Sequence, residues 1–231
     1  MSNPVLERVR ERATHQPVPL GSVPPLPFDA PQGSAEAIER LWTAWKEIGV
    51  QAVRCRTELE AFQELVAQLR ERKVRNVLVD SRTARAYPGL MGALEGAQLS
   101  VISGVLPQEE SERYTELKRW ATAEASVTDV VAAFADSGTL WVAGGAGGMR
   151  CASLLPPLHV ALVRRTQVYP CMATWLAEAR ASGELQKWVE ESSSLIAITG
   201  PSRTSDIEKT VVLGVHGPRE VIAILIEEAQ R

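Results

Sequence analysis

Short apolar runs, each too brief for a helix, alternate along this chain with longer segments of helical period, and that alternation restricts the fold more than any other feature. Ser34 is placed to cap a helix reaching about residue 48, with Ile38, Leu41, Trp42 and Trp45 on one face and Gly49 at its end. A strand at 51–54 follows. Thr57-Glu-Leu-Glu60 has capping-box spacing and opens a second helix that carries Leu59, Phe62, Leu65, Val66 and Leu69. The β-branched run 77–80 ends on the carboxylate of Asp80. A helix near 88–94, a strand at 99–103 and a helix at about 109–120 continue the pattern. Strands that alternate with helices pair as a parallel sheet with helices on its faces. The expected class is therefore α/β, with a mostly parallel sheet and flanking helices.

Beyond residue 120 the pattern changes. Two extended runs, 129–135 and 139–143, flank the turn Asp136-Ser-Gly138 and read as a small antiparallel hairpin element. The glycine-rich link Gly144-Gly-Ala-Gly-Gly148 leads into a predicted short helix at 149–155. Such a link lets backbone approach a ligand and aims N–H groups at an anion. The dinucleotide spacing G-x-G-x-x-G is missing, because Arg150 stands where its last glycine would fall; Arg150 is either a carboxylate or phosphate fork or a surface charge. Pro156-Pro157 closes that helix, and a strand at 158–163 turns Leu158, Val160 and Leu162 to one face and His159 to the other. Helices at 172–180 and 184–190 and a last, wholly apolar strand at 221–226 complete the pass.

The stretch 196–218 is the richest in chemistry. Two β-branched runs, 195–198 and 211–215, read as buried strands around a polar loop. Gly200-Pro201 breaks the backbone, and Ser202-Arg203-Thr204-Ser205 then offers hydroxyls and a guanidinium suited to a carboxylate or phosphate. The P-loop spacing is absent. Asp206 and Glu208, at i and i+2, would project to one side of an extended chain; they divide acid and base roles or anchor Arg203, Lys209 and nearby N–H groups. His216 ends the second run, and ligands collect at the carboxyl ends of parallel strands. It is thus the general acid/base candidate, with a structural cap as the other reading.

The remaining limits come from composition. A chain of 231 residues fits one domain with an N-terminal extension. The prolines at 17, 19, 24, 25, 27 and 31 mark residues 1–33 as a Pro-rich arm, a solvated tail or a segment that packs on a neighbour, ahead of an α/β domain at 34–231. A net charge of -3 supplies no basic field for nucleic acid or an anionic membrane, and no apolar run approaches a membrane span. The charged N-terminus lacks an apolar signal region, so a cytoplasmic location is expected. Cys55, Cys151 and Cys171 are far apart and no C-x-x-C is present, so the chain is expected to bind no metal or cluster of its own.

Four segments together resemble the signature of the LUD-domain family, in particular its lactate-utilisation protein C branch. They are Ala135-Asp-Ser-Gly-Thr139, Ser153-Leu-Leu-Pro-Pro-Leu-His159, Thr199-Gly-Pro-Ser-Arg-Thr-Ser-Asp-Ile-Glu208 and Leu213-Gly-Val-His-Gly-Pro218, and they span about residues 120–226. The resemblance implies a fold like that of glucosamine-phosphate deaminase, ribose-phosphate isomerase and the CoA transferases. It implies a cluster-free subunit of a system that oxidises L-lactate to pyruvate, with iron–sulfur clusters in partner subunits. Carried over by motif, the candidate site holds Asp136, Ser137, Gly138, Thr139, Gly200, Ser202, Arg203 and Thr204 for a small organic acid or phosphate-type anion, with Asp206, Glu208 and His216 for proton transfer. The Gly144–Gly148 loop extends it. No catalytic glutamate motif of a CoA transferase is found. The alternatives are a stand-alone enzyme for a phosphorylated or nucleotide substrate and a non-catalytic sensor of a small acid.

Overall fold

The computed structural model describes residues 30–103, 107, 109–145, 148–205 and 211–228. Helix α1 (Ala35–Ile48) starts where the Ser34 hydroxyl accepts the Ala37 N–H at 3.1 Å, and it stops at Gly49, whose φ of 80° ends the helix in a left-handed turn. Helix α2 (Glu58–Glu71) starts in the same way at Thr57, whose hydroxyl accepts the Glu60 N–H at 3.1 Å. The other helices are α3 (Ser81–Ala86), α4 (Leu90–Gly96), α5 (Glu110–Trp120), α6 (Met172–Ala181) and α7 (Glu184–Glu191). Leu59 corrects the expected face of α2. The buried stripe is centred on Leu65 and Leu69, which leaves Leu59 at its rim, 66% exposed.

In chain order the strands are β1 (Gln51–Cys55), β2 (Asn76–Val79), β3 (Ser100–Ile102), β4 (Ala125–Asp129), β5 (Ala132–Phe134), β6 (Thr139–Gly144), β7 (Leu158–Arg164), β8 (Val168–Tyr169), β9 (Ser194–Ile198), β10 (Arg203–Ser205), β11 (Val211–Leu213) and β12 (Glu220–Ile226). Six of them form a wholly parallel sheet in the order β1-β12-β7-β4-β2-β3. Its central strands are buried on both faces, which is why β12 reads as one continuous apolar run. One face packs Val127, Val160 and Ile224 against Phe62, Leu65 and Leu69 of α2 and Leu90 and Leu94 of α4. The other packs Ala161, Ala223 and Leu225 against Ile38, Leu41 and Trp45 of α1, together with Leu140 and Val142 of a second sheet. That sheet, in the order β8-β5-β6-β9, contains the expected hairpin β5–β6 and puts its far face against Trp175 of α6.

Three expectations are corrected here. The run 129–135 is not one strand: Asp129 ends β4 of the parallel sheet, and the chain turns into β5. The segment 149–155 holds only a 3₁₀ turn, Arg150–Ser153, after which Leu154 and Leu155 are exposed. The runs 195–198 and 211–215 do not form buried strands. Strand β9 is an edge strand with alternating exposure, and β11 pairs only with β10 in a two-stranded antiparallel ribbon, with Leu213 and Val215 about half exposed (49% and 50%). A β-branched run has the same pattern at an edge as in a core, so its burial depends on neighbours the local sequence does not name. Among the described residues no helix is long and apolar enough to cross a membrane. The first described residues, 30–33, are tied to the domain: Ala30 is buried and the Gly33 N–H donates to Val168 O at 2.8 Å.

Candidate functional site

The signature residues gather at the amino edge of the parallel sheet, around the last turn of α1. There the Trp45 indole N–H donates to Gly138 O at 3.0 Å. Gly138 and Gly200 both adopt positive φ, 70° and 89°. A Cβ would sit 2.8 Å from Ile48 Cδ1 at the first and 2.7 Å from Ile48 O at the second. Both positions therefore need glycine for conformation and for space. The Arg203 guanidinium donates to Ile48 O at 3.1 Å, a cation placed on the carbonyl end of a helix. Thr139 and Thr199 join the two motif loops through their hydroxyls at 2.9 Å.

Ser202 organises the ribbon's other side. Its N–H donates to Pro218 O and its carbonyl accepts from the Gly214 N–H, each at 2.9 Å, while its hydroxyl accepts the His216 N–H at 3.4 Å. The structure thus brings Gly138, Thr139, Gly200, Ser202, Arg203 and His216 into one neighbourhood, with Thr204 beside them in β10. Asp136 and Ser137 lie in the β5–β6 turn: the Asp136 N–H donates to Pro170 O at 3.0 Å, and the Ser137 hydroxyl accepts the Thr139 N–H at 3.4 Å. Asp206 and Glu208 lie outside the described residues, as does the middle of the Gly144–Gly148 loop, of which Gly145 and Gly148 pair with each other. The expected setting of His216 is corrected. It follows a strand of the small ribbon, is exposed, and stands at the amino edge of the sheet rather than the carboxyl edge.

The carboxyl edge carries a cluster that motif reading missed. Asp129, 7% exposed, ends β4 and Arg164 ends β7. The Gln167 amide donates to Asp129 Oδ1 at 3.1 Å, and the Arg164 and Arg82 guanidinium nitrogens lie 3.8 and 3.6 Å from its oxygens. Arg164 also pairs with Glu58 at 3.1 Å and stacks on the Tyr87 ring at 3.9 Å. Burial pushes the Asp129 carboxyl up from its usual range, against Gln167 and the two guanidiniums; burial likewise raises the Tyr87 phenol well above its ordinary value. Asp80, just past β2, accepts the Thr83 N–H at 2.7 Å and the Met149 N–H at 3.0 Å, which ties the glycine loop to the sheet. The available signal was a charge at the exit of each buried strand: Asp80, Asp129 and Arg164. On the interior of the same sheet, His159 is fully buried with Nε2 2.8 Å from the Thr128 hydroxyl, and burial lowers its pKa to about 4. Burial raises the Cys55 thiol to about 11, and among the described residues no group of three or more His, Cys, Asp or Glu could hold a metal ion.

Comparison with known proteins matches residues 38–226 to the LUD domain model. "Lactate utilization protein C" of Halalkalibacterium halodurans is 30% identical over 74% of this chain and 72% of its own, and that of Deinococcus radiodurans is 28% identical over 89% and 86%. Among solved structures, a DUF162 family protein from Deinococcus radiodurans superposes with a TM-score of 0.53 at 20% identity, covering 83% of this chain and 97% of its own. That last likeness supports the mostly parallel α/β architecture.

Proposed function

The chain belongs to the LUD domain family, and from that premise we propose that it is the cluster-free component of a lactate-utilisation system that oxidises L-lactate to pyruvate. The observation that carries the reading is the match to relatives named lactate utilization protein C along as much as 89% of this chain. Oxidation of a 2-hydroxy acid to a 2-keto acid removes two electrons and two protons, and no ordinary side chain accepts the electrons. In this reading the electron acceptors are iron–sulfur clusters of partner subunits. The scattered cysteines here, two of them buried, suit that division of labour.

The amino-edge face is the part we assign to recognition. Asp136, Ser137, Gly138 and Thr139 with Gly200, Ser202, Arg203 and Thr204 hold a small organic acid or phosphate-type anion, and His216, with Asp206 and Glu208, exchanges protons. Exposed His216 stands beside half-exposed Leu213 and Val215, so an apolar rim for a partner adjoins polar groups for a ligand. The test is affinity isolation of the tagged chain from lactate-grown cells. Two iron–sulfur proteins and lactate-dependent dye reduction should come with it; a solitary, inactive chain would refute the proposal. His216→Gln should leave partner capture intact and lower dye reduction, and full activity in that variant would remove His216 from the chemistry.

A further inference from the structure

Among the described residues, each open sheet edge carries a guard except one. A strand edge presents unpaired N–H and C=O groups to any other extended chain, and proteins blunt it with charge, brevity or a covering segment. Strand β1 carries Arg54, which pairs with Glu39 and Glu227. Strands β3, β10 and β11 are three residues long. Strand β8 has two residues and is met by the segment before α1, where the Gly33 N–H donates to Val168 O at 2.8 Å. Strand β9 has none of these guards. It is five residues long and ends the four-stranded sheet, with β6 as its only strand neighbour among the described residues. The run 192–199, Ser-Ser-Ser-Leu-Ile-Ala-Ile-Thr, holds neither a charge nor a proline.

The side chains of β9 divide between two faces. Ile196 and Ile198 pack into the core with Leu140 and Val142. Leu195 and Ala197 are exposed, the former at 36%, and pair across the sheet with Ala143 and Trp141 of β6. The open edge is therefore flanked by an apolar strip. Charges of opposite sign bound it. Glu190 and Glu191, exposed at the end of α7, precede the strand, and exposed Arg203 follows it. Such a strand complements a copy of itself that runs the other way, whereas parallel pairing would bring like charges together.

We propose that β9 pairs with β9 of a second copy of this chain, antiparallel about a two-fold axis near its midpoint, Ile196. The pairing satisfies the open backbone groups and joins the two four-stranded sheets into one continuous sheet. It sets Leu195 of one copy opposite the partner's Ala197, which closes the apolar strip, and it brings Glu190 and Glu191 toward the partner's Arg203. The uncharged middle of the strand meets itself without repulsion. This interface does not depend on the lactate reading.

Sedimentation equilibrium of the purified full chain over a concentration series tests it. The expected result is a reversible dimer with a Kd of about 1–10 μM, the weak end for a small interface. Ala197→Lys puts a cation into the strip on each copy and should weaken the dimer about 30-fold or more, with an unchanged circular-dichroism spectrum because Ala197 is exposed. Glu190→Lys with Glu191→Lys should weaken it several-fold, and adding Arg203→Glu should restore most of that loss. Register is read by oxidation in a Cys151→Ser background, since Cys55 and Cys171 are buried. A mixture of Leu195→Cys and Ala197→Cys chains should cross-link in preference to either alone, because directly opposite residues come within disulfide reach and diagonal ones do not. A wild-type chain that stays monomeric throughout, or a dimer unchanged by Ala197→Lys, would overturn the proposal. So would preferential cross-linking of either variant alone. A monomeric chain that captures iron–sulfur proteins and loses them in Ala197→Lys would also overturn it, by assigning the edge to those proteins.

Discussion

At the carboxyl edge of the parallel sheet, Asp129 is buried between Gln167, Arg82 and Arg164, and each charge there is fixed by neighbours from distant parts of the chain. At the amino edge, Arg203 and His216 are exposed, and what is fixed is backbone: Gly138 and Gly200 in left-handed conformations against Ile48, and Ser202 joined to Pro218 and Gly214. One edge is held by desolvated electrostatics, the other by turn geometry and a helix terminus. A motif rich in glycine and hydroxyls therefore identifies a shaped surface, whereas isolated charges at strand exits identify a buried polar centre. The two ask for different experiments.

The largest expected difference is in stability. Asp129→Ala leaves two guanidiniums without their shared carboxylate and should cost about 3–5 kcal/mol in urea denaturation; a cost under about 1 kcal/mol would mean that the cluster is solvated and the contrast fails. Next comes pH. His159 is neutral in the fold with a pKa lowered to about 4 by burial, against an ordinary 6.5. The unfolded chain therefore takes up a proton as pH falls below about 6.5, while the folded chain does not until about 4. The resulting stability is present above 6.5 and is lost on acidification, about 2 kcal/mol of it by pH 5. His159→Gln should flatten that part of the stability–pH curve, and an unchanged slope would contradict it.

At the amino edge the effects are smaller. Gly200→Ala forces a Cβ against Ile48 O at positive φ and should cost about 1–2 kcal/mol by thermal denaturation. Arg203→Ala removes an exposed guanidinium from the end of α1 and should cost less than about 1 kcal/mol. Equal losses from Arg203→Ala and Asp129→Ala would erase the distinction between the edges.

The same division explains what could be read from the sequence. Ser34, Gly49 and Thr57 act through their own neighbours in the chain, so the bounds of α1 and the start of α2 were legible. So was the hairpin around Asp136 to Gly138, and so was β12, whose unbroken apolar run suits a strand covered on both sides. Strands β9 and β11 carry equally apolar residues at an edge and in a ribbon, and period alone does not separate those settings. That is why His216 was expected at the carboxyl edge. Strand β4 was hidden because Ser126, Thr128 and Asp129 give it a polar composition, although all are buried: Thr128 by pairing with His159, Asp129 by charges at residues 82 and 164. Burial satisfied by distant partners leaves no local signature.

In the proposed role this chain serves lactate oxidation without carrying the redox group. Reconstitution of lactate-dependent dye reduction, with and without the chain, from whatever iron–sulfur proteins co-isolate with it decides the matter. L-lactate should reduce the dye only when the chain is present, and the purified chain alone should give no reduction. Full activity of those proteins without the chain would refute the role.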